Sequence, residues 1–219
     1  MPVTTLAVVD LGSNSFRLEV GRVEGNQIYR LDTWRETLRF GAGLDAKGRI
    51  MPAAKRAALE CLARFRERLT GLHPSAVRAV ATNTFRIAKN AREFLPLAER
   101  ALGFPIDVIG GHEEARLIYL GAAHELPRSL APRLVVDIGG GSTEFIIGRG
   151  LEPERLESLK LGCVALRAGG RSAIGCTTTG RHICACAAAE KSRPLPPGSL
   201  PPSSWISIDV FDGSAGSTM

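Results

Sequence analysis

Apolar positions fall in short runs separated by longer amphipathic stretches. Leu6–Leu11 is an apolar run closed by a Gly/Ser/Asn turn, and Phe16–Val23 continues as a second strand. Ile28–Phe40 predicts one or two further strands. Pro52 suits a first helical position and opens a helix whose apolar face is Ala58, Leu59, Leu62, Phe65 and Leu69; Gly71 stops it. Val77–Ala81 and Ile106–Ile109 read as strands. Between them, Asn90 with Glu93 has capping-box spacing and starts a helix through Phe94, Leu97, Ala98 and Leu102. Glu113–Ala123 is another helix. Leu134–Ile138 is a strand, turned at Gly139-Gly140-Gly141 into a further strand, Glu144–Gly148. Strands alternating with helices predict an α/β fold.

The alternation ends near Arg167. Across 168–219, Ala, Gly, Pro and Ser supply 27 of 52 residues while Leu, Ile, Val and Phe supply 8, too little apolar surface to offset the entropy of ordering. The expected organisation is one unit over 1–125, the start of a second over 126–167, and an irregular tail over 168–219. The break in composition lacks the character of a linker, which suggests a tail read from a shifted frame or a mis-joined gene.

Composition narrows the class. The chain has 219 residues, 44% of them hydrophobic, 23% charged and 5% aromatic, with a net charge of +6. That profile excludes global disorder. No apolar run is long enough for a membrane span, and no basic segment precedes an apolar one at the N-terminus, so the expectation is a cytoplasmic chain without membrane attachment. The positive charge suits anionic partners. The few aromatics argue against a base-stacking surface, and no nucleic-acid partner is expected.

An internal repeat carries the chemistry. Val8–Arg22 (VVDLGSNSFRLEVGR) and Val135–Arg149 (VVDIGGGSTEFIIGR) align without a gap at an offset of 127, with 7 of 15 positions identical. In each, a buried strand delivers an Asp to its end and a Gly-rich turn lets backbone N–H groups approach a ligand closely. Successive N–H groups make an anion-binding concavity, and the Asp can hold a divalent cation or orient a water. One such turn is ordinarily a plain hairpin. Two in register, facing each other, would clamp a phosphate chain.

Five motifs, DLGSNSF (Asp10–Phe16), ATNTFRIA (Ala81–Ala88), IGGHEEARLIYLG (Ile109–Gly121), VDIGGGSTE (Val136–Glu144) and LGCVAL (Leu161–Leu166), occur in one order over residues 1 to about 167. The two Asp-Gly turns resemble the phosphate loops of the actin-like superfamily. In detail the sequence resembles the exopolyphosphatase / guanosine pentaphosphate phosphohydrolase family. The resemblance implies an actin-like (ribonuclease H-like) α/β fold of two lobes, with Mg²⁺ as cofactor. It also implies removal of the terminal phosphate from inorganic polyphosphate, guanosine pentaphosphate or both. Glu114 takes the place of the family's general base and Arg86 that of its basic phosphate residue. Asp137 and Glu144 would hold the cation or the lytic water. The phosphate-binding set would be Asp10, Gly12, Ser13, Asn14 and Ser15 from the first loop, and Gly139, Gly140, Gly141, Ser142 and Thr143 from the second. Family members often pair, so a homodimer is a further implication.

Position alone leaves plainer readings open: Glu113 and Glu114 as helix-capping acids, Arg86 as a solvated cation. At a helix start the dipole favours ionised Glu114, the form a base needs. The family-like text stops at about Arg167, before a second lobe would be complete. The alternative function is therefore an inactive relative that only binds polyphosphate or a guanosine alarmone. An actin-like ATPase or sugar kinase is a third reading, disfavoured by the EEA and TFR motifs and the lack of an adenosine-binding motif. Cys176, His182, Cys184 and Cys186 match no zinc-ligand spacing. Cys61 reads as core, His112 as a solvated loop residue, His73 and His124 as surface, and Arg56, Arg64, Arg66 and Arg68 as a solvated helix face.

Overall fold

The computed structural model describes residues 4–25, 27–127, 129–163 and 211–212. The cysteine- and proline-rich stretch, and with it Cys176, His182, Cys184 and Cys186, lies outside the described residues.

Strand β1 (Thr4–Leu11) is the middle of a five-stranded sheet. It pairs antiparallel with β2 (Ser15–Glu24), which pairs with β3 (Gln27–Thr37); on its other edge it runs parallel to β4 (Val77–Ala81), which pairs with β5 (Asp107–Val108). Alternation sorts the faces: Ala7, Val9 and Leu11 are buried, while Leu6 and Val8 on the other face stay exposed. Helices α1 (Pro52–Arg68) and α3 (Ala91–Leu102) cover the buried face, with the short α2 (Asn83–Ile87) leading into α3. Phe40 sits at the hub, its ring 5.3 Å from those of Phe16 and Phe85 and 6.0 Å from that of Phe94. Full burial of such a side chain contributes about 1.5–3 kcal/mol. β3 ends at Thr37, short of the expected Phe40, because Arg39 turns into the left-handed region (φ 50°) and a 3₁₀ turn follows over Phe40–Gly43.

The arginine-rich face of α1 is anchored on β3. Arg64 pairs with Glu36, and Arg68 lies 3.3 Å over the Trp34 ring and 3.4 Å from Asp32. Cys61 is fully buried in the core, as its place on the apolar face predicts.

The second sheet holds β6 (Arg133–Ile138), β7 (Thr143–Arg149) and β8 (Glu152–Leu159), an antiparallel meander, with the two-residue β9 (Phe211–Asp212) on the far edge of β6. Helix α4 (Gly111–Glu125) packs on this sheet: Ala115, Tyr119, Ala122 and Ala123 share a core with Val135 and Ile146. The helix that a boundary at 125 assigns to the first unit thus buries its apolar face in the second. α2 and β8 have no counterpart in the sequence reading. β8 is charged and exposed along most of its length, so it carries little periodic signal.

The expected capping box at Asn90 does not form. Asn90 precedes α3, but its side chain makes no cap hydrogen bond. It is buried and serves Ile50 instead, accepting from the Ile50 N–H at 2.8 Å and donating to the Ile50 carbonyl at 3.2 Å. Glu93 faces Arg49 at 3.4 Å. The carboxamide satisfies two backbone groups of a distant loop, a stronger demand in a buried place than one helix N–H. Asn90→Ala leaves both Ile50 groups unpaired and is expected to cost about 2–4 kcal/mol. Urea unfolding is the check, with the midpoint falling at unchanged slope.

Candidate active site

The repeat in the sequence is a repeat in the structure. In the first hairpin Asp10 pairs with Arg17 and Leu11 with Phe16; in the second Asp137 pairs with Glu144 and Ile138 with Thr143, the same register displaced by 127. Each turn closes the same way. Gly12 N–H donates to the Ser15 carbonyl at 3.2 Å, and Gly139 N–H to the Ser142 carbonyl at 2.9 Å.

Loop carbonyls are held from behind. Ser13 O accepts from Gly41 N–H and Asn14 O from Arg39 N–H, each at 2.7 Å, while Gly139 O accepts from Cys163 N–H at 3.0 Å. Among the described residues, the N–H groups of Ser13, Asn14, Gly140 and Gly141 donate to no protein acceptor. Carbonyls tied and amides free is the arrangement of an anion-binding nest.

The two loops touch. A Cβ on Gly140 would lie 2.9 Å from the Asn14 nitrogen, and one on Gly141 would overlap the Asn83 side-chain nitrogen and lie 2.7 Å from Ser13 Oγ. Gly162 is similarly confined, by the backbone of Gly140 and Gly141. That explains the LGC motif, which braces the second loop. Of the expected phosphate ligands, two point their hydroxyls elsewhere. Ser15 Oγ accepts from Arg35 Nε at 3.2 Å, and Thr143 Oγ1 donates to the Leu161 carbonyl. Ser13 is buried and accepts from Thr84 Oγ1 at 2.7 Å.

Arg86 and Glu114 meet as an ion pair between α2 and α4. Arg86 leaves α2 and donates to Glu114 Oε2 at 2.7 Å and to the Ile109 carbonyl at 2.9 Å. Glu114 sits in the first turn of α4, whereas Glu113 turns outward to Arg116 at 2.7 Å. Burial pushes the Glu114 carboxyl above its usual range, and Arg86 pulls it back. The net direction is upward because desolvation outweighs the pull of Arg86.

Three more acids share the electrostatics. Burial, then Glu114, raises Asp10 to about 6. Burial, then Glu144, Glu114 and Asp10, raises Asp137 to about 7. Burial, then Glu114, raises Glu144 to about 7 against the Ser158 and Ser142 hydroxyls and Arg86. Asp10, Asp137 and Glu144 thus each feel the Glu114 carboxylate. Asp137 Oδ1 and Glu144 Oε2 are buried without a hydrogen-bond partner. Two hard oxygen atoms in that state fit Mg²⁺, which takes one or two carboxylates and completes its shell with waters and phosphate oxygens. Among the described residues no group of three His, Cys, Asp or Glu is arranged to hold an ion unaided.

A depression of about 390 Å³ opens beside Arg86, lined by Asn83, Gly110, Gly111, His112, Glu113, Ser158 and Lys160. His112 is an exposed residue of the first turn of α4, where a solvated loop position was expected. Asn83, Ser158 and Lys160 were missed as site residues. Asn83 lies within the ATNTFRIA motif, and the other two come from β8 and its end, for which the sequence has no pattern. Among the described residues no helix is long and apolar enough to cross a membrane.

A model of the Ppx/GppA phosphatase family matches residues 20–173. Among solved structures the chain is similar to the Aquifex aeolicus member of that family, at 30% identity and TM-score 0.66, over 77% of this chain and 55% of that one. It is similar to an exopolyphosphatase from Cytophaga hutchinsonii at 30% identity and TM-score 0.70, over 75% of this chain and 53% of that one. An exopolyphosphatase-like protein matches at 33% identity and TM-score 0.68, over 75% and 52%. The chain spans about half the length of these relatives, and the expected α/β fold is the fold it shares with them. By the family model and by these structures, the chain belongs to the Ppx/GppA phosphatase family.

Proposed function

We propose that the chain is a phosphohydrolase that releases the terminal phosphate of inorganic polyphosphate or guanosine pentaphosphate by direct attack of water. The observation that carries this reading is the Arg86–Glu114 pair at 2.7 Å, set beside two apposed loops whose amides are free. The loop amides take the oxygens of the terminal phosphate. Glu114 accepts a proton as the water oxygen bonds to phosphorus, and the bridging P–O bond breaks to leave a chain shorter by one phosphate. Arg86 favours the ionised form of Glu114 against burial and offers its guanidinium to charge developing on the phosphoryl group. Asp137 and Glu144 would hold Mg²⁺, which when bound offsets the charge of the phosphate oxygens. Positioning and electrostatics supply the acceleration, without a covalent enzyme intermediate. The exopolyphosphatase named among the similar structures supports polyphosphate as the first substrate to try.

Phosphate release from long-chain polyphosphate with Mg²⁺ is the test. Glu114→Gln is expected to slow it about 10²–10⁴-fold while polyphosphate binding persists. EDTA is expected to abolish release and added Mg²⁺ to restore it. Binding without release by the wild-type chain would assign the binding-only role instead. The glycines give an independent comparison. Gly141→Ala forces the loops apart and is expected to lose most of the release. Gly121→Ala, where a Cβ meets nothing within 4 Å, is expected to keep it.

A further inference from the structure

Glu144 is fully buried, and a carboxylate there depends on the donors it can find. Its Oε1 accepts from Ser158 Oγ at 2.8 Å and Oε2 has no hydrogen-bond partner, while the nearby Ser142 hydroxyl also favours the ionised carboxyl. The pairing is a matter of register. Glu144 stands opposite Asp137 on β6 and opposite Ser158 on β8, so the three form one row across the sheet, on one face. A one-residue slip of β8 would turn Ser158 to the other face.

Ser158 also touches α4. A Cβ on Gly111 would lie 2.5 Å from Ser158 Oγ and 2.7 Å from Ser158 Cβ. Gly111 is the first residue of α4, and Glu114 follows three residues later. The serine thus meets the strand acid through a hydrogen bond and the helix start through close packing. Glycine at position 111 is what permits the approach.

We propose that Ser158 is a positioning residue, which sets the carboxylate of Glu144 relative to the helix that carries Glu114. It rests on the phosphohydrolase reading for its catalytic consequence and on geometry alone for its structural one. The role of Ser158 is to hold one oxygen of Glu144 so that the other keeps its place. Misplacement by an ångström at such a site is enough to slow chemistry without altering binding.

The test uses the full chain. Ser158→Ala is expected to lower kcat for phosphate release at least about tenfold with KM for polyphosphate changed less than about twofold. Gly111→Ala, which keeps every polar group of the site, is expected to lower kcat in the same way. Unchanged kcat in Ser158→Ala, or a loss confined to KM, overturns the proposal. Thermal unfolding supplies a readout independent of activity. Ser158→Ala is expected to lower Tm when Glu144 is present and to leave it unchanged when Glu144 is replaced by Met, because no buried acceptor is then left unpaired. Equal losses in both backgrounds overturn the proposal. If the wild type releases no phosphate, the hydrolase reading fails by itself, and the thermal comparison still decides whether Ser158 holds Glu144.

Discussion

Two hairpin turns meet so closely that the contact has no room for a side chain on the second. Gly140 and Gly141 lie against Ser13, Asn14 and Asn83, and Gly162 lies against the first two from behind. The rest of the site depends on this approach. It requires glycines at the tip of one loop, a carbonyl-holding segment for each, and two sheets that deliver the loops. With carbonyls bound and amides free, the loops offer positive backbone dipoles toward the space they share.

The same approach concentrates acid. Asp10 and Asp137 lie at equivalent places in the two hairpins, and Glu144 and Glu114 come in from β7 and α4. Burial raises all four above the usual carboxylate range, and each of Asp10, Asp137 and Glu144 is raised further by acidic neighbours. Arg86 offsets part of this, and the orphaned oxygens of Asp137 and Glu144 mark where the protein alone does not complete the balance. A fold that merely sought stability would not gather acids in this way, since each buried like charge works against the compact state.

Much of the fold was legible in the chain. Strands β1, β2, β4, β6 and β7 and helices α1, α3 and α4 fall within a few residues of their expected places, because each has an apolar face of the right period. The repeat supplied more than elements: two Asp-Gly turns at a constant offset foretold two hairpins of one register. What escaped reading had a different physical origin. β8 alternates weakly and packs with only part of its length, so its pattern is faint. Asn90 has the right neighbours for a cap, yet a loop distant in sequence competes for its carboxamide and wins.

The family resemblance of the motifs proposed Glu114, Arg86, Asp137 and Glu144 as the residues with chemistry to offer, while the sequence by itself determined the α/β alternation and the paired Asp-Gly turns. These follow from local rules, periodicity and turn composition, which act over a few residues. Only the tertiary structure decided that α4 packs with the second sheet and that Arg86 reaches Glu114. It likewise decided that the hydroxyls of Ser15 and Thr143 serve other partners, and that Ser158 stands beside Glu144. Each of these is a contact between segments far apart in sequence, settled by competition for burial and hydrogen bonds that no local window contains.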